Sequence, residues 1–218
     1  MQTPDEGNPP ELPKLSEMIP TLAQMEKEHW EFIEKAIPPE RKVEDAEAHL
    51  VVAVLRRSRD NIMGFLAMAD QKNVFCGMPI VRFQIDTAMA LFARTLVSDV
   101  EDFFKHIAEG KRLSDFKSAS GDKLTDAFLH KKLSKKHAMM SDLYKDTSGY
   151  VHFSTQHIHR VLDLDYYNKT KQVRFGNPEE ITAGWGDEEL RGAMVCFLWA
   201  TEGILDQCKE WLSGLKDS

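Results

Sequence analysis

The chain organises itself first as a series of apolar stripes. From Thr21 to Ala36, Leu22, Met25, His29, Phe32, Ile33 and Ala36 recur at steps of three and four, and Pro38-Pro39 closes the run. That spacing predicts an amphipathic helix ended by proline. Glu44 to about Gln71 repeats the pattern through Leu50, Val54, Ile62, Phe65 and Met68, with Arg56, Arg57, Arg59 and Asp60 decorating it. A long second helix follows from it. Pro79 is placed to open a third, since proline suits the first helical turn, and Ala88, Leu91, Phe92, Thr95, Val100, Phe103 and Ile107 carry one stripe to Gly110. The connection KRLSDFKSASGDK leads to a shorter helical stretch around Leu124 to Leu129. Leu133, His137, Met140, Tyr144, Thr147 and Val151 then mark a fourth major helix, whose other face presents Lys145, Ser148 and His152.

After His159 the period changes. Leu162, Leu164 and Tyr166 alternate with Asp163 and Asp165, and Val173 and Phe175 alternate again beyond the polar turn NKTK, which predicts a small β-hairpin. The last helix is the clearest: Leu190, Met194, Phe197, Thr201, Ile204, Cys208 and Trp211 fall at alternating steps of four and three. The expected fold class is all-α, a bundle of about five major helices with the hairpin between the fourth and last long ones. Residues 1–13 hold Pro4, Pro9, Pro10 and Pro13 and little that is apolar, so they read as a disordered acidic tail. Residues 14–218 read as one domain around one core.

Composition narrows the setting. The longest apolar stretches, around Ala88–Val97 and Ala193–Ala200, fall short of a bilayer span of about 20 residues. The proline-rich start lacks the basic and apolar regions of a signal peptide, so the expectation is a cytoplasmic protein with no membrane role. Cys76, Cys196 and Cys208 are odd in number and lack metal-type spacing. The formal net charge is −7, but it is unevenly spread: residues 1–50 hold 12 acids and 5 bases, whereas residues 105–145 hold 10 bases and 5 acids. A basic stretch on an acidic body is able to direct a phosphate-bearing ligand to one face, although such runs are most often simply solvated.

No glycine-rich phosphate loop, GxSxG elbow or HExxH motif is present. The segment SGYVHFSTQHIHR carries Ser148, Tyr150, His152, Ser154, His157, His159 and Arg160. His152, His157 and His159, at steps of five and two, do not align on one helix, so no metal site is expected and no cofactor is implied. The cluster suits proton transfer beside a cation that holds phosphate, or a hydrogen-bonded structural role. Arg82 and Asp86 lie one turn apart on the third helix. If the third and fourth helices pack antiparallel, that pair approaches Tyr150 and His152.

These residues, the Arg82–Asp86 helix, the basic connection, Tyr144 and SGYVHFS, resemble an uncharacterised family of bacterial helical proteins that is similar to the HEPN superfamily. The similarity covers roughly residues 45–165. The resemblance implies a helical bundle, commonly a homodimer, and in many members a metal-independent endoribonuclease of defence or stress response. Active members use an Arg followed shortly by a His, with the sites of two protomers meeting at the interface. His152 matches the histidine, and the nearest preceding cation is Lys145, a departure because lysine lacks the planar guanidinium fork. On this resemblance the catalytic candidates are His152, Arg82, Asp86 and Tyr150, and the substrate-binding candidates are Lys145, Ser148, Ser154, His157 and Arg160. RNA or a nucleotide is the implied partner. The alternative is a non-catalytic interaction or oligomerisation module whose polar cluster is structural.

Overall fold

Each of the long helices has a polar residue set into its apolar stripe, and these residues meet at the centre of the bundle. The computed structural model describes residues 12–36, 46–135, 147, 149–151, 157–158, 161–175 and 186–214. Helix α1 spans Leu15–Ala36 and buries Met18, Leu22, Met25 and His29. It begins six residues before the expected Thr21, and Pro20 sits inside it on the exposed side. Helix α2, Ala46–Asp70, buries Leu50, Val54, Leu55, Ile62 and Phe65.

A tight turn then reverses the chain. Lys72 adopts a left-handed φ of 51°, the Asn73 N–H returns to the Met68 carbonyl at 2.9 Å, and the Asn73 side chain caps the next helix by accepting from the Cys76 N–H at 3.2 Å. Helix α3 therefore runs Val74–Ala93, with Pro79 inside it rather than at its start. Gly64 lets α2 and α3 approach closely, because a Cβ there would lie 3.3 Å from Ile80 Cδ1.

The uninterrupted helix expected to reach Gly110 is broken. Arg94–Leu96 tightens into a 3-10 turn, and a new helix, α4 (Val100–Ala108), starts at Asp99, whose carboxylate accepts from the Asp102 N–H at 2.9 Å. The apolar period continues across residues 97–99, but the capping side chain gives the backbone a better local option than helix. Helix α5, Asp126–Ser134, is capped by Thr125. The expected fourth helix is described only at its ends: Leu133 is buried in α5, residues 149–151 are helical, and residues 136–146 lie outside the described set.

The β-hairpin is not found. Leu164–Thr170 is a short helix, α6, with Asp163 as its N-cap (accepting from the Tyr166 N–H at 2.9 Å) and Lys171 closing it at φ 59°. The alternating leucines and aspartates thus belong to a capped helical turn. What remains of the hairpin is a single antiparallel bridge between Leu162 and Phe175. Helix α7, Asp187–Gly214, buries every residue of its expected stripe from Leu190 to Trp211. At its start Arg191 donates to the carbonyls of Leu12 and Pro13, which holds those two residues of the expected tail; residues 1–11 lie outside the described set.

Helix α1 packs on α2 and α7, α2 on α3, and α3 on α7, so the four long helices close a ring around one core. Phe65 and Phe197 stack across it with centroids 4.5 Å apart. Val74–Leu96 is long and apolar enough to cross a membrane by composition, and in this bundle most of α3 is covered by α2 and α7.

Inside the ring each long helix contributes a fully buried polar side chain to one network: His29, Ser58, Gln84 and Thr201. The Nδ1–H of His29 donates to the Met25 carbonyl at 2.6 Å, which leaves Nε2 to accept the Ser58 hydroxyl proton at 2.8 Å. Gln84 Nε2 donates to Ser58 Oγ at 2.7 Å and to Thr201 Oγ1 at 2.9 Å. The Thr201 hydroxyl donates to the Phe197 carbonyl, and the Asn61 amide donates to Gln84 Oε1. The chain of bonds is complete only with a neutral imidazole.

Burial accordingly holds the His29 pKa below its ordinary 6.5, against smaller opposing effects from the Met25 carbonyl and Glu26, with Arg59 adding to the lowering. The unfolded chain takes up this proton at higher pH than the folded one. His29 therefore contributes its full stability above pH 6.5 and loses it as pH falls toward the folded pKa, at about 1.4 kcal/mol per pH unit for one proton. Urea unfolding between pH 7.5 and 5 is expected to show this extra slope in wild type and not in His29→Gln; equal slopes would mean that His29 is not the group responsible.

Candidate functional site

Arg82 and Asp86 stand one helical turn apart on α3, and Arg82 is only 8% exposed. Its Nε donates to Asp86 Oδ1 at 2.8 Å, and Nη2 reaches Asp126 Oδ2 at 3.3 Å. Asp126 is the first residue of α5, so one guanidinium fastens α5 to the middle of α3. The two legs differ: the Asp86 side chain is 33% exposed and that of Asp126 is 61% exposed. The inner leg is the stronger, because water screens the outer one.

Asp86 also shows what burial costs it. Its carboxyl is held above the ordinary 3.8 chiefly by loss of water, which outweighs the charge and hydrogen bond of Arg82; the nearby Asp126 raises it further and Arg57 lowers it. The trio of one guanidinium and two carboxylates, fully ionised, carries one negative charge.

The second group forms where α3 begins. Phe75, in its first turn, stacks on the His157 imidazole with centroids 5.3 Å apart and planes 14° from parallel. Tyr150 tilts against the same imidazole at 6.2 Å and packs on the edge of the core. Phe75 remains 38% exposed, so the stack presents aromatic surface. The beginning of α3 thus lies against Tyr150 and His157, whereas the expected approach was of Arg82 and Asp86 to Tyr150 and His152. Arg82 lies seven residues farther along α3, about 10 Å at helical rise.

Of the residues singled out in the sequence, the structure joins Arg82 with Asp86 and Tyr150 with His157. His152, Lys145, Ser148, Ser154 and Arg160 lie outside the described residues. Two partners were missed. Asp126 was not singled out, because an acid in a first helical turn is what the helix dipole favours anyway. Phe75 was overlooked because the third helix was expected to open at Pro79, four residues after it. The Asn73 cap is the signal that finds both the true start and Phe75.

A separate cleft of about 490 Å³ opens between α3 and α7, lined among others by Phe92, Leu133, Trp199, Glu202, Asp206 and Glu210. Three carboxylates at four-residue steps on α7 make it a poor receptor for phosphate. Among the described residues no three His, Cys, Asp or Glu side chains gather as metal ligands would. No protein-family model, curated protein or solved structure matches the chain.

Removing the guanidinium leaves the half-buried Asp86 carboxylate without its counter-charge. Arg82→Ala is expected to lower stability by about 2 kcal/mol, in the range for hydrogen bonds to charged groups, whereas Asp126→Asn should cost less than about 1 kcal/mol. Urea midpoints at pH 7 give both values. An Asp126→Asn loss equal to that of Arg82→Ala would place the binding strength in the outer leg instead.

Proposed function

We propose that the chain is a HEPN-like helical protein that binds RNA or a nucleotide-bearing ligand and does not cleave it. The observation that carries the reading is the Phe75–His157 stack beside Tyr150, a partly exposed aromatic surface of the kind on which unpaired bases stack. The absence of cleavage is argued from Arg82. Metal-independent attack of a ribose 2′-hydroxyl needs a cation free to hold the developing phosphate charge, and this guanidinium already faces two carboxylates.

The same clamp favours a second reading, a non-catalytic interaction or oligomerisation module in which Arg82 and Asp86 only fasten helices together. A buried, satisfied ion pair is what such a module needs, and recognition would then fall to other surfaces.

Fluorescence anisotropy with a labelled single-stranded RNA, chelator present, separates the readings. Wild type is expected to bind and to leave the RNA intact. Phe75→Ala and Tyr150→Ala, confirmed as folded by circular dichroism, should weaken binding about 5- to 160-fold, from roughly 1–3 kcal/mol per stacked base. Cutting to 2′,3′-cyclic ends that Arg82→Ala and His152→Ala abolish would replace this reading with a ribonuclease. Absence of binding, together with self-association in light scattering, would favour the interaction module.

A further inference from the structure

The basic connection folds into a closely bonded turn. Ser118 N–H donates to the Asp122 carbonyl at 2.8 Å and Leu124 N–H to the Phe116 carbonyl at 2.9 Å, flanking an antiparallel bridge between Lys117 and Lys123. These flanking bonds make Lys117 and Lys123 a non-hydrogen-bonded pair, the arrangement in which opposite side chains share one face at closest approach. The loop is braced from inside: the Ser118 hydroxyl, 7% exposed as a residue, meets Ser120 Oγ at 2.9 Å and accepts from the Asp122 N–H. Ala119 N–H is tied to the Leu96 carbonyl at 2.8 Å, and Leu124 is fully buried. The two ammonium groups are thus carried on a rigid frame.

Like charges directly opposite each other destabilise a strand pair. Among the described residues no carboxylate pairs with Lys117 or Lys123. Residues 111–135 hold seven Lys or Arg against three Asp. Of those three, Asp122 accepts from the Ser120 hydroxyl and Asp126 is engaged by Arg82. Lys131 and Lys135 on α5 are exposed as well, so the positive potential extends from the turn along the following helix.

We infer that the Lys117–Lys123 pair is a clamp for backbone phosphate of single-stranded RNA. The inference deepens the proposed function and rests on it for the identity of the ligand. RNA suits the turn better than a bilayer, because Ala119, Ser120 and Gly121 at its tip offer nothing large and apolar to insert. It suits better than an acidic peptide, because α5, the helix after the turn, packs on α3, the helix that carries Phe75. Phosphate and base contacts thereby sit on one rigid unit.

The test measures anisotropy of a labelled single-stranded RNA against salt for wild type, Lys117→Gln/Lys123→Gln, and Lys27→Gln as a charge control on α1; both turn lysines are exposed, and thermal melts check the fold. Inorganic tripolyphosphate is titrated in parallel by calorimetry. The double substitution is expected to reduce the magnitude of the log–log salt slope by about one to two, independently of RNA sequence, and to abolish tripolyphosphate binding, while Lys27→Gln changes neither. RNA binding with an unchanged slope in the double variant would overturn the clamp and leave the RNA reading standing. Tripolyphosphate binding through these lysines without RNA binding would keep the clamp and overturn RNA as its ligand. Binding of neither by wild type would overturn both.

Discussion

One hydrogen-bonded path runs through all four long helices, from His29 on α1 through Ser58 and Gln84 to Thr201 on α7. In an otherwise apolar core such a path acts as a register constraint. Apolar side chains accept a helix displaced by one turn at modest cost, but a displacement of about 5.4 Å would strand every donor and acceptor in the path where water cannot reach. Each stranded group costs roughly 1–3 kcal/mol. Hydrophobic burial gives this bundle its stability, and the polar path selects which of several similar packings is populated, as buried polar groups do in some helical assemblies.

That constraint explains what was legible in the sequence and what was not. Helix faces were readable, because periodicity reports directly on burial: the whole stripe of α7 and the core positions of α2 lie where the spacing put them. Boundaries were decided by capping, which periodicity does not see. Asp99 divides an apparently continuous helix, Asp163 turns an alternating pattern into helix α6, and Asn73 starts α3 ahead of its proline. The polar path was hidden for another reason. His29 and Thr201 were visible as members of apolar stripes, but Ser58 and Gln84 look like surface residues until the helices are assembled. Asp126 became a partner of Arg82 only through the packing of α5.

The arrangement of charge is as informative as any single site. Carboxylates line the α3–α7 cleft and flank Arg82, while among the described residues the exposed lysines include Lys117 and Lys123 on the turn before α5 and Lys131 and Lys132 on α5 itself. A basic segment on a chain of net negative charge orients an approaching anion without strong overall affinity. Electrostatic steering of that kind weakens as salt rises, whereas the aromatic stack at the start of α3 is insensitive to screening.

The bond from Arg191 to the carbonyls of Leu12 and Pro13 spans nearly the whole chain, with a sequence separation of 178 at Pro13. The Gln84–Thr201 bond spans 117 residues. By contrast, α2 and α3 meet through a turn of three residues. In assembly, the α2–α3 pair closes a short loop and forms cheaply, while α7 must find a groove between α1 and α3 across long intervening chain, the entropically slow step. Until α7 docks, the apolar faces of α1 and α3 that it covers are open to wrong partners, including the α7 of a neighbouring copy.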